Sequence, residues 1–460
     1  VPLSHVELSS SLQTIEFTAH FNLPIVPGVF DTLCHLKDIK FERYNQRIQP
    51  DVFPDGLTTL DMSSAFNNGN EPLEPVFPKS LLHLHLGAYN QPLRIGIVPH
   101  LNTLHMDGFN QDLVPGVFNG VKDIKLGHYN KPIPPGVFTE GLTKLEFGMT
   151  FYNGNKPLQP VFPSTLIKLD LGAYDLPLHK GVLPMHLNTL TLMSFNHELQ
   201  PGVLPSSLFS LHLYRYNHVL QPGVLPHGVR VLMMNKYSHP LKPGDLPDGL
   251  LYLSLYDYNH ALKRGDLPHS VWNLTLEGHF NQSIPPGVLH EGLLSLTLGR
   301  EFTKPISEKG ILPTSLEKLE FNNDHYSDLH VEAIPNDTLR ILLPLAPDRH
   351  RLAHDIQRQQ RADVAATDKL PAKQTWGEFF NSFIPDDFET ASGGLHGWHG
   401  KKHYRTRNAL QNRHYRSRNA QKRHYRSCKA QKRHYRSRNA QKRHYSSRKA
   451  QKRHRRVTLI

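Results

Sequence analysis

Cysteine is almost absent from this 460-residue chain. Cys34 and Cys428 are the only two, too few and too far apart for a disulfide framework. No run of 18 apolar residues and no signal peptide occur, which excludes a membrane-spanning helix and a membrane partner. These absences point to a reducing cytoplasmic or nuclear compartment. Nucleophile elbow, phosphate loop, zincin and kinase motifs are missing too, so neither an enzyme nor a cofactor is expected. Acidic residues are missing from one place only. Residues 401–460 hold 23 of the 53 Lys/Arg and none of the 40 Asp/Glu, which leaves the first 400 residues at a net charge of −10. Such asymmetry suits a polyanion partner for the tail, or contact between tail and body.

What is present is a repeat. A cluster aromatic–Asn–x–Pro–(Ile/Leu)–x–Pro–Gly–Val–(Phe/Leu) recurs, as in Tyr129 to Phe138, Phe195 to Leu204 and Phe280 to Leu289. Between the clusters stands Leu-x-x-Leu-x-Leu, as at Leu81, Leu84 and Leu86, in fifteen copies at steps of 20 to 24 residues. A sixteenth, at Leu339 and Leu342, breaks off into Leu343-Pro344. The x-Leu-x-Leu portion alternates outward and inward, so each copy predicts a short strand and stacked copies a parallel sheet. The many prolines exclude a regular α-helix on the return side, and the Pro-Gly pairs suit type II turns. At one corner of successive coils sit Asn22, Asn45, Asn90, Asn110, Asn130, Asn196, Asn217, Asn259 and Asn281, with Asp175, Ser238 and Thr303 in the same place. An amide both donates and accepts, so a stacked asparagine ladder is expected to satisfy the turn backbone. The aromatic before each Asn should pack inside. Gly69-Asn70 and Gly154-Asn155 follow small insertions that should bulge out without breaking the frame.

This combination resembles the FNIP repeat family, related to leucine-rich repeats, over about residues 1–343. Phe195-Asn196 and Leu204-Pro205 with Leu208, Leu211 and Leu213 make a clean unit; Ser238 for Asn and Arg264-Gly265 for Pro-Gly depart from the pattern. The resemblance implies a non-enzymatic scaffold for protein interaction. The expected fold is a mainly β repeat solenoid, a leucine-rich-repeat-like arc of about 15 short coils. It has a parallel concave sheet, an extended turn-rich convex side and a disordered tail. The cysteine-rich caps common in secreted leucine-rich-repeat proteins are absent. In some relatives the repeats follow an F-box. The sequence opens at Val1 in mid-repeat, so an upstream capping or effector domain is an expectation. With an F-box there, the chain would be the substrate receptor of a ubiquitin ligase.

The outward strand positions divide into two kinds. Early copies carry opposite charges, Asp38 with Lys40, Asp123 with Lys125, Lys144 with Glu146 and Lys168 with Asp170, which reads as a solvated face. Later copies carry Phe209, His212, Tyr214, Arg230, Met233, Tyr252, Tyr256 and Trp272. Aromatics, Met and Arg are the residues enriched in interface centres, so these eight form the candidate protein-binding patch, its partner unknown. His83, His85 and His105 lie together, but a flat sheet closes a tetrahedron poorly and no cysteine or carboxylate completes a set. They are read as solvent-exposed histidines that titrate near the ordinary value, and no metal is expected.

Residues 344–400 read as a linker, with helical spacing over 348–366 and a dense apolar segment from Trp376 to Ile384 that suits an end cap or a docking motif. Residues 401–460 repeat a decad close to Arg-His-Tyr-Arg-Ser-Arg-Asn-Ala-Gln-Lys that cannot build a core and is expected to be disordered alone. Its cations suit phosphates and its rings suit exposed bases. Arg405, Arg416, Lys422, Arg423, Tyr425, Lys432, Arg433, Tyr435, Lys442 and Arg443 are therefore candidates for non-specific RNA or single-stranded DNA binding.

Overall fold

The computed structural model describes residues 9–98, 101–323, 329–330, 333–335, 340–342 and 456–459. The linker, the Trp376 segment and the basic decads lie outside them. Seventeen strands are present among the described residues: β1 Thr14–Phe17, β2 Asp38–Phe41, β3 Thr59–Asp61, β4 His83–His85, β5 Thr103–Met106, β6 Asp123–Leu126, β7 Lys144–Phe147, β8 Lys168–Asp170, β9 Thr189–Leu192, β10 Ser210–Leu213, β11 Val231–Met234, β12 Tyr252–Leu255, β13 Asn273–Leu276, β14 Ser295–Leu298, β15 Lys318–Phe321, β16 Arg340–Leu342 and β17 Arg456–Leu459. From β1 to β16 each pairs parallel with the next, and the leucines of the signature stay in register, as in Leu60, Leu84, Leu104 and Ile124. The sixteenth copy, read in the sequence as broken, pairs with β15 as well.

The fold is a parallel β-solenoid. The signature residues face inward and are buried from the β1 coil to the β15 coil, as Leu208, Leu211 and Leu213 are. The aromatics before the corner asparagines are buried too and form a column. Their rings lie within 28° of parallel at centroid separations of 6.0–6.5 Å. Strands in a sheet lie only about 4.8 Å apart. Coils that fan out from the sheet toward the aromatic column place the sheet on the concave side.

The return side has no regular helix among the described residues, only two 3₁₀ turns, Asn68–Asn70 and Asn153–Asn155. The Pro-Gly turns form as expected. Gly223 takes φ +82°, and Gly265 keeps φ +92° although Arg264 replaces the proline. Close coil-to-coil approach makes a different demand at Gly148, where a Cβ would meet the Gly127 carbonyl oxygen at 1.8 Å.

Without helices, the backbone groups at the corner need side-chain partners. The asparagines supply them. Asn22 Oδ1 accepts the N–H of Asn45 at 2.8 Å, Asn90 that of Asn110 at 2.8 Å, Asn110 that of Asn130 at 2.9 Å and Asn196 that of Asn217 at 2.9 Å. Asn259 serves Asn281 and Asn281 serves Thr303. Asp175 Oδ1 accepts from Asn196 in the same way, at 2.8 Å, and Ser238 donates both its N–H and its hydroxyl to Asn217. In the insertion coil the rung is Asn67, which links Asn45 to Asn90.

A second stitch was not visible in the sequence. Tyr89 and Tyr174 are buried but point their hydroxyls at the preceding coil. Tyr89 Oη accepts the N–H of Leu73, and Tyr174 Oη that of Leu158, both at 3.0 Å. Phe66 and Phe151 have no hydroxyl, and their coils are the two with insertions. There the inserted Asn68 and Asn153 take over, accepting the N–H of Ile48 at 2.8 Å and of Ile133 at 3.0 Å. The insertions therefore do more than bulge: each supplies an acceptor like the hydroxyls of Tyr89 and Tyr174.

Replacing Asn153 by Ala orphans a buried N–H, so urea denaturation should show a loss of about 1–3 kcal/mol. Adding Phe151→Tyr should recover part of that loss, because the hydroxyl regains the position seen for Tyr174.

Candidate interaction face

The concave face is built from the outward residues of the strands, and its two halves differ. Over β4–β8 the charges are satisfied by one another. Lys144 Nζ lies 3.4 Å from Asp123 and 3.2 Å from Glu146, and Lys168 Nζ lies 3.0 Å from Glu146. Burial pushes the Glu146 carboxyl up, but Lys168 and Lys144 outweigh it and hold the group below its usual range.

The pKa values of His85 and His105 are shifted in opposite directions. His85 bridges two coils, with Nδ1 2.9 Å from Asp61 Oδ1 and Nε2 2.8 Å from Asp107 Oδ2. Its bonds to Asp107 and then Asp61 raise its pKa to about 9. Carboxylates thus do reach this cluster, contrary to the sequence reading, but they occupy both ring nitrogens. His83 Nδ1 engages Thr103 Oγ1 at 3.0 Å. Burial lowers the pKa of His105. No group of three metal-ligating side chains assembles among the described residues.

Over β9–β14 the third strand position is buried as well: Thr191, His212, Met233, Ser254, Thr275 and Thr297. His212 is 1% exposed, with Nε2 2.9 Å from Ser210 Oγ and Nδ1 3.5 Å from Thr191 Oγ1. Burial pushes its pKa down to about 4, so it is neutral at physiological pH. His212 and Met233, also 1% exposed, are removed from the candidate patch, because their side chains have no surface to offer. Flanking residues in register and the edge-on Tyr214 ring at 6.3 Å enclose His212. Arg230 is removed for another reason. Its Nη1 donates to the carbonyl of His227 at 2.8 Å, and the guanidinium lies over Gly249, where a Cβ would meet it at 2.5 Å. It staples a turn.

Phe209, Tyr214, Tyr252, Tyr256 and Trp272 remain half-buried across β10–β13. Tyr252 lies on β12 between Val231 and Asn273 in register, and burial raises its pKa. Tyr256 follows β12 and packs over Gly278, with its ring edge-on to His279 at 6.3 Å. Beside it runs a charge chain absent from the sequence reading: Lys236 to Asp257 at 2.7 Å, Asp257 to His279 at 3.6 Å, and His279 to Glu301 at 2.8 Å.

Four more histidines turn out to be structural. Nε2–H of His197, His218, His239 and His260 donates to the corner carbonyl of the preceding coil at 3.0, 2.8, 2.9 and 2.6 Å. Each ring packs against its own coil's aromatic, Phe195, Tyr216, Tyr237 or Tyr258, at 5.6–5.8 Å. Their regular position two residues after the aromatic was the signal available in the sequence.

The family model described as FNIP Repeat matches residues 129–174, 174–215, 195–236, 237–278 and 280–324. Residues 129–324 carry FNIP repeats. The solenoid is similar to CroV588, described as a novel circular LRR protein, at 23% identity and a TM-score of 0.51, over 73% of this chain and 63% of that one. That likeness shows a leucine-rich-repeat type of fold. It also resembles TLR13 in a complex with ssRNA13, at 15% identity and TM-score 0.45 over 73% of this chain and 64% of that one. An internalin from Listeria monocytogenes gives 12% and 0.40 over 73% and 88%. The chain thus spans less than two thirds of the length of the first two. No curated protein sequence matches it. No helix among the described residues is long and apolar enough to cross a membrane.

The two concave histidines make stability depend on pH with opposite signs. His85, raised to about 9, stabilises the fold fully below 6.5, and this contribution is lost as pH rises through about 9. His212, lowered to about 4, is protonated first in the unfolded chain, so its contribution is lost as pH falls from 6.5 toward 4. Urea midpoints should therefore peak near pH 6.5. His85→Ala should flatten the alkaline limb between pH 6.5 and 9 and leave the acid limb in place.

Proposed function

We propose that the FNIP solenoid is a non-catalytic scaffold that binds a protein partner through the concave face of β10–β13. One observation supports this reading above the others: Phe209 and Tyr214 at β10, Tyr252 and Tyr256 at β12 and Trp272 at β13 stand half-buried, beside a half of the face whose charges pair with one another. Aromatic side chains give up little conformational freedom on contact and dominate interface centres. Paired charges must be desolvated to be covered and offer less. The expected partner contacts the aromatic half and leaves the ionic half wet.

Proteins retained by the full chain should be lost, or bound at least about tenfold more weakly, when Tyr252 and Trp272 are both replaced by Ala. A control with Lys125→Ala and Lys168→Ala should retain them. An unchanged set of bound proteins in the aromatic double variant would count against this face.

A second reading rests on the segregation of charge. The 23 Lys/Arg and zero Asp/Glu of residues 401–460 suit single-stranded RNA or DNA, with the solenoid bringing the protein partner. The full chain should bind single-stranded RNA with an affinity that falls steeply between 50 and 200 mM salt. A 1–400 truncation should bind at least about tenfold more weakly at the lower salt. Equal binding by the two proteins would remove this reading.

A further inference from the structure

The sheet does not begin at β1. The outer edge of β1 is occupied by β17, from the far end of the sequence, which lies parallel with Thr14 opposite Arg456, Ile15 opposite Val457, Glu16 opposite Thr458 and Phe17 opposite Leu459. On its other side β1 pairs with β2 in the same register. We propose that the β1 edge is a strand-acceptor site and that the chain's own Arg456–Leu459 is its occupant, added to the sheet as one more coil strand.

The sequence of the segment supports this independently of the pairing. Arg-Val-Thr-Leu has the x-aliphatic-x-Leu pattern of the coil strands, close to Thr-Leu-Thr-Leu in β9, Asn-Leu-Thr-Leu in β13 and Ser-Leu-Thr-Leu in β14. In the pairing, Val457 and Leu459 take the register of the core residues Ile15 and Phe17, and Thr458 that of the outward Glu16. A shift of one residue would exchange these sets. The decad pattern stops where the strand starts. From residue 401 to 456 the only Val, Leu or Ile is Leu410, and then Val457, Leu459 and Ile460 follow within four residues.

An edge presents unpaired N–H and C=O groups that template association with another chain, and proteins cover it, charge it or pair it. The connection is long enough: β1 to β16 spans roughly 70 Å at strand spacing. Residues 343–455 reach several times that distance at about 3.3 Å per residue. Any other partner that used this edge would have to offer the same alternating strand and displace Arg456–Leu459.

The register can be tested by disulfide trapping in the full chain, with Cys34 and Cys428 replaced by Ser. Glu16→Cys with Thr458→Cys places the two thiols directly opposite. At low micromolar concentration, mild oxidation should convert most of the protein to an intramolecular disulfide, seen as a faster monomer band on a non-reducing gel. Glu16→Cys with Arg456→Cys, two residues out of register, should react at least about tenfold more slowly. Leu459→Asp added to the in-register pair should suppress its cross-link to a similar degree, while the far-UV circular dichroism of the solenoid stays the same. Equal rates for the two pairs would mean random collision of a tethered tail and would overturn the proposal. So would the absence of a cross-link, or a product that is mostly a disulfide-linked dimer.

Discussion

Everything in this solenoid depends on side chains that hydrogen-bond to the backbone of the neighbouring coil. A chain this rich in proline cannot satisfy its return segments with helical bonds, and turns within each coil, such as Leu33 N–H to the Phe30 carbonyl and Leu208 N–H to the Pro205 carbonyl, satisfy only part of them. Only the strand portion is served by the sheet. At the corner the load passes to Asn side chains that accept the next coil's N–H at 2.8–2.9 Å. Tyrosine hydroxyls and inserted asparagines do the same work one step further along the return. A repeat is a natural outcome, because each acceptor is useful only if the next coil presents its donor at the same place.

The same stacking shapes the concave face. Parallel strands in register place identical positions of successive coils in rows, so unlike charges in neighbouring rows neutralise one another and like groups accumulate. The β4–β8 half follows the first course: His85 between two aspartates, Lys144 between Asp123 and Glu146. The β10–β13 half follows the second, with aromatic side chains from the β10, β12 and β13 coils and a buried row of His212, Met233, Ser254 and Thr275. The two halves differ in what a partner would have to strip of water, and that difference underlies the functional reading.

Much of this was legible in the sequence. The alternation in Leu-x-x-Leu-x-Leu needs only nearest-neighbour geometry, so the strands, their parallel stacking and the inward leucines follow from it. The corner asparagines were legible for the same reason: their role recurs in most coils, and Asp175, Ser238 and Thr303 also hydrogen-bond there. The exchange of Tyr hydroxyl for inserted Asn was not legible. It couples Phe66 with Asn68 and Phe151 with Asn153 through a donor in the preceding coil, about 20 residues away. The candidate patch was legible only in part. Period two says which side chains leave the core: it puts Tyr252 on the outward side of β12, while Trp272 stands just before β13. It cannot say that His212 is enclosed by its lateral neighbours or that Arg230 turns down onto His227.

The sequence by itself therefore determined the architecture: a parallel repeat solenoid with an aromatic column and an asparagine corner, and a strong separation of acidic body from basic tail. Those properties are periodic or compositional, and each is set by residues near one another in the chain. Tertiary structure alone decided the ionisation of His85 and His212, which of the outward residues keep a surface, and that Arg456–Leu459 pairs with β1. Each of these depends on groups brought together from separate coils, or from opposite ends of the chain, and so on distances that no local pattern encodes.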